Sequence, residues 1–320
     1  MAPSTGAPRG CAWRAVYGRE VTPHTRTAEH DAFGPWIDTV RTTEGIPRLF
    51  RPHGVDPSAA RLVLKVPRDI PRRDTDPSMD LYEHLLVVGD EALEVLTRDG
   101  SGYAVRRTPY AELVAVRDRV DLLDGLLAVH AADGDALRIP FNGASVDVVL
   151  ELTELLVALA GEAAGVVATT AAPAPRATPR VDVGPDEAGV ASAYGDLATR
   201  DPELDCLSSR PRTPLVPRAT GLRGILQRLR PMSAAGAVVA STPRELLVLT
   251  RREPVLRRRT ATLSLDRLRI LRHAITSTAV EPHPRWAGMS TVTIRAGAAC
   301  FEVVAATGSD IERDLLAGGG

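Results

Sequence analysis

The chain has 320 residues, 39 basic against 40 acidic side chains, and a formal net charge of −1 at pH 7. That length accommodates two ordinary domains with a core in each, and the balanced charge argues against a nucleic-acid partner. Aromatic residues make up only 4%, so the cores must be built from Val, Leu, Ile and Ala.

Lys65 is the only lysine, and with abundant Ala and Pro this is the residue usage of a GC-rich bacterial genome. Cys11, Cys206 and Cys300 are odd in number, far apart and show no CxxC, so neither a disulfide framework nor a zinc site is suggested. Cys300 lies in an apolar run and is expected in a core. No apolar leader precedes Glu20, and no run of about 18 apolar residues occurs, so a cytoplasmic protein is expected.

In chain order, residues 1–32 are expected to be a disordered tail, rich in Pro, Gly and Thr. Residues 33–79 are punctuated by seven prolines from Pro35 to Pro77 and are expected to be an arm packed on the first module. Within it, Asp56-Pro57 is a helix-start signal, and Leu62-Val63-Leu64-Lys65-Val66 suits a strand or the end of that helix. A first ordered block covers 80–161. Residues 162–220 form an Ala/Pro-rich linker, with a short helix predicted between Asp186 and Thr199. A second ordered block covers 221–320. It opens on the basic amphipathic stretch Gly221 to Arg230, whose Leu222, Ile225, Leu226 and Leu229 suit packing on that block or a membrane interface.

The two blocks repeat one another. Leu93-Glu94-Val95-Leu96-Thr97-Arg98 matches Leu246-Leu247-Val248-Leu249-Thr250-Arg251, and Val87-Val88 and Val238-Val239 stand before them, each followed by a polar turn. Tyr110 to Arg117 aligns with Leu265 to Arg272, which places Leu113 and Leu268 at equivalent points of a strand. A late hairpin follows in both blocks, around Ala132-Asp133-Gly134 and Ala296-Gly297. Each block then ends in a helix: Ser145 caps the first, and Val149, Leu152, Leu156 and Leu159 share one face. Ser309-Asp310-Ile311-Glu312 is a capping box for the second.

This order of elements resembles tandem bacterial pleckstrin-homology-like (PH-like) domain proteins of an actinobacterial type. The resemblance covers the two blocks, about half the chain. It implies a mainly β fold with α: two PH-like modules, each a bent antiparallel sheet or partial barrel capped by a C-terminal helix.

No nucleophile elbow, zincin, Walker or Rossmann pattern occurs. His24, His30 and Asp31 are close in sequence but sit in the Pro-rich arm, and pairs such as Asp121/Asp124 and Asp133/Asp135 are turn residues. No catalytic residue, cofactor or metal ligand is therefore expected. Charge is asymmetric instead, with an acidic first block and a basic second one, where Arg251, Arg252, Arg257, Arg258 and Arg259 flank a turn at Glu253-Pro254. PH domains that bind phosphoinositides gather phosphate oxygens with basic residues near their early strands, so the resemblance implies an anion or lipid site at these five arginines. The first functional expectation is a non-enzymatic binding or scaffold protein whose partner is another protein. The alternative is a peripheral adaptor at the inner face of the membrane that holds anionic head groups. A third is a metal protein or enzyme using the N-terminal arm.

Overall fold

The computed structural model describes residues 27–166, 181–221, 229, 231–257 and 262–318. Its main elements run in two matching series. The first comprises β1 (Leu62–Pro67), β2 (Tyr82–Val88), β3 (Ala92–Asp99), β4 (Gly102–Pro109), β5 (Leu113–Asp121), β6 (Asp124–Ala131), β7 (Ala136–Asn142) and helix α1 (Val146–Ala163). After helix α2 (Ala188–Arg200) comes the second: β8 (Asp205–Arg210), β9 (Ala237–Ser241), β10 (Glu245–Thr250), β11 (Leu265–Leu271), β12 (Ile275–Pro282), β13 (Met289–Ala296), β14 (Ala299–Ala306) and helix α3 (Asp310–Ala317). Each series is a four-stranded antiparallel meander, a three-stranded one and a helix. Among the described residues all the pairings are antiparallel, and no sheet closes on itself as a barrel.

Two-sided burial explains the unbroken apolar runs in the early strands. In β2 and β3, Leu86, Val88, Leu93 and Val95 point inward, where they meet Val149, Leu152, Leu156 and Leu159 of α1. Leu85 and Leu96 point outward, against Phe33, Ile46 and Phe50 of the Pro-rich arm. The second series repeats this. Val239, Leu246 and Val248 face Ile311 and Leu315 of α3, while Val238, Ala240, Leu247 and Leu249 are covered by Val190, Tyr194 and Leu197 of α2. Each buried Val, Leu, Ile or Phe among them contributes roughly 1.5–3 kcal/mol by leaving water.

Several expectations from sequence are corrected by these contacts. The stretch 33–79 is not merely an arm, because β1 lies between β2 and the two-residue strand Asp38–Thr39 in the first sheet. The stretch 162–220 is not merely a linker, because it holds α2 and also β8, which pairs with β9. Asp56 starts a turn rather than a helix, its Oδ1 accepting from the backbone N–H of Ser58. Cys300 is exposed, since β14 alternates and Ala299 and Phe301 take the inward places. Ser145 makes no side-chain cap to its own helix; its Oγ accepts from Ile37 N at 2.8 Å, tying the arm to α1. Ser309 does cap α3, accepting from Glu312 N, and the Glu312 carboxylate reaches back to Gly308 N. The stretch 222–228 and residue 230 lie outside the described residues.

The repeat also has a different register from the one read in the sequence. Ala92 pairs with Pro109 at the end of β4, and Glu245 pairs with Leu271 at the end of β11. Both strands run straight into a three-residue 3-10 turn, Tyr110–Glu112 and Arg272–Ala274. Both following strands open with an irregularity at the same place, Leu113/Ala115 in β5 and Ile275/Ser277 in β12. So β4 corresponds to β11 and β5 to β12, with Val105 equivalent to Arg267 and Asp118 to Val280. Leu113 and Leu268 are not equivalents. Their strands, β5 and β11, are hydrogen-bonded neighbours, with Leu268 opposite Arg117. The two series thereby share one seven-stranded sheet, ordered β7-β6-β5-β11-β10-β9-β8.

Candidate functional site

Of the arginines singled out by sequence, the three among the described residues stand in different surroundings. Arg251 follows β10 and is 3% exposed. Its Nε donates to Glu187 Oε2 at 2.5 Å and its Nη1 to the Ser264 carbonyl. Glu187, at the start of α2, is fully buried and also accepts from Arg212 Nε at 2.9 Å and Gly236 N at 3.3 Å. A Cβ at Gly236 would lie 2.7 Å from Glu187 Cγ, so only glycine lets this carboxylate reach the arginines. Arg252 is bonded to Asp124 at the start of β6, and this pair joins the two series. Arg257 is exposed on a short strand, Val255–Arg257, that pairs with Met232–Ala234. Arg258 and Arg259 lie outside the described residues. Glu187 has no motif; its only sequence signal is Gly184-Pro185 ahead of a predicted helix.

A cleft enters the second series between β9, β10, β11 and β14, lined by Ala237, Val248, Leu268 and Val303 with Arg117, Arg210 and Asp266 at its polar side. Arg210, 9% exposed, donates from Nη2 to the Ala235 carbonyl. Its Nε and Nη1 are shielded and have no hydrogen-bond partner among the described residues. Burial without a carboxylate pulls its pKa down to about 10.

Charge is otherwise concentrated in the seam between β5 and β11. Asp266 accepts from Arg117 Nε at 2.8 Å and Nη2 at 2.5 Å, and from Arg119 Nε at 3.2 Å. Directly opposite one another, Arg267 and Asp118 pair at 2.7 Å with both side chains buried. Desolvation raises the Asp118 pKa despite that partner. The pairing of Arg267 with Asp118 across 149 positions has no local sequence signal.

The repeats also present sheet edges. Among the described residues, β4 and β12 each have a hydrogen-bonded neighbour on one side only. Both are eight residues long. β12 is exposed or half-buried throughout. Each carries a solvent-facing valine, Val105 at 46% and Val280 at 42% exposure. Neither strand was read as an edge from sequence: β4 (GYAVRRTP) lacks the apolar alternation of a half-buried strand.

Among the described residues no three His, Cys, Asp or Glu side chains come together so as to hold a metal ion. No described helix is long and apolar enough to cross a membrane. His30 lies 4.0 Å from Asp31 and 3.4 Å from Thr75 Oγ1; His24 is outside the described residues.

No protein-family model matches the chain, and neither a curated protein nor a solved structure does so.

Proposed function

We propose that the chain is a non-enzymatic binding protein built from two PH-like modules, and that it holds another protein along exposed strand edges. Four strands, three strands and a helix, in that order in both series, support the PH-like reading. The open eight-residue edges β4 and β12 carry the binding reading. An unpaired strand offers a row of backbone N–H and C=O groups to an incoming strand, with alternate side chains supplying selectivity. A photo-reactive residue at position 105 or 280 of the full chain, irradiated in extract of the native cells, is expected to give one discrete protein adduct. Excess unlabelled wild-type chain should suppress it. Diffuse labelling that the competitor leaves unchanged would sink this reading.

The lipid-adaptor alternative has less support, since Arg251 and Arg252 are already engaged by Glu187 and Asp124. It draws on Arg257 together with Arg258 and Arg259, and predicts salt-sensitive sedimentation with anionic vesicles.

A further inference from the structure

The seam inside the molecule and the two open edges are related by the repeat. Within the chain, the second-sheet strand of the first series (β5) pairs with the last first-sheet strand of the second series (β11). The equivalents of these strands are β12 and β4. Among the described residues both have a neighbour on one side only, as do β7, β8 and β14, but only β4 and β12 are equivalent by the repeat to the strands of the seam. Each series thus has both halves of the same joint, and one of each is used internally.

We propose that β4 of one copy pairs with β12 of another, reproducing the internal seam as a head-to-tail interface between copies of this chain. The proposal rests on the reading of these edges as the binding surface and names its occupant. Transferring the observed register sets the pairing. Arg267 opposite Asp118 becomes Val105 opposite the partner's Val280, and Arg269 opposite Val116 becomes Arg107 opposite the partner's Thr278. The buried ion pair of the internal seam is therefore replaced by two valines that are exposed in the single chain. The partner's Glu281 falls opposite Ala104 and diagonal to Arg106 on the same face, the kind of neighbour that cross-strand charges stabilise. The pairing is antiparallel, as in the seam. Because the two surfaces differ, the contact is heterologous: it closes into a ring or extends as a filament.

Sedimentation velocity on the purified full chain tests this with two variants, Val105→Arg and Val280→Arg, at positions exposed enough to accept arginine. Wild type is expected to associate with rising concentration. Either variant alone has one functional edge and nothing to receive it, so each should sediment as a monomer. An equimolar mixture restores one interface and should double the sedimenting mass, a rescue that misfolded chains cannot give. Wild type that stays monomeric at every concentration overturns the proposal. So does a single variant that associates like wild type, or a mixture that stays monomeric. A monomeric wild type that still gives the photo-adduct with a different protein would remove self-assembly and leave the binding reading standing.

Discussion

Arg267 of β11 donates through Nε to Asp118 of β5 at 2.7 Å, and the two side chains are 3% and 1% exposed where the two series meet. An isolated buried ion pair is a poor source of stability, because desolvation offsets most of the attraction, yet removing one member leaves a charge stranded. Here the pair lies opposite itself in the strand ladder, so it also fixes which residue of β5 faces which residue of β11.

Asp118→Ala is accordingly expected to destabilise the fold by about 3–5 kcal/mol. The double variant Asp118→Leu with Arg267→Met should recover most of that loss. Urea unfolding of the single and double variants checks this, and a double variant as unstable as the single one would contradict it.

Glu187→Gln removes the negative charge from beneath two arginines while keeping the side chain's size. The loss should again be about 3–5 kcal/mol. Its local signature is earlier hydrogen exchange in α2 than in β9 and β10, since Glu187 joins the start of that helix to Arg251 and Arg212.

Arg210 presents the opposite case, a buried cation with no carboxylate. Arg210→Met keeps most of the aliphatic stem and removes the unpaired charge. It should raise stability by about 1–3 kcal/mol, seen as a higher urea midpoint at an unchanged slope.

His130 on β6 packs edge-on against Phe301 of β14, ring centroids 5.0 Å apart, and so lies between the series. Burial first, then Arg117, Arg138 and Arg119, push its pKa down from 6.5 to about 4. The unfolded chain therefore binds this proton more readily than the fold does. The neutral ring costs nothing above pH 6.5, and stability falls as pH drops from there towards about 4. The raised Asp118 and Glu245 carboxyls act with the opposite sign below neutrality. Tm between pH 7 and 5 should fall for wild type and fall less for His130→Phe.

Much of the repeat is legible in the sequence because its strongest strands are apolar on both faces: Leu85–Val88 and Leu246–Leu249 stand out without alignment. The late hairpins and the terminal helices are legible for the same reason, through turn residues and helical spacing. The register slipped by one strand at β4. Its Ala104, Val105 and Arg107 face solvent, so it carries no pattern of burial, and β5, which does, took its place beside β11. The separate partners of Arg251 and Arg252 are hidden for a related reason. Sequence shows Arg251 and Arg252 as neighbours, but their carboxylate partners at Glu187 and Asp124 lie 64 and 128 residues away.

The shared seven-stranded sheet has a consequence for the covalent connection between the series. Backbone hydrogen bonds from β5 to β11, the Arg252–Asp124 pair and the contact of α1 with β11 and α2 all hold the halves together without the peptide chain that links them. A cut between residues 167 and 180 is thus expected to leave two polypeptides still assembled, and the two fragments, expressed separately and mixed, are expected to reconstitute the whole.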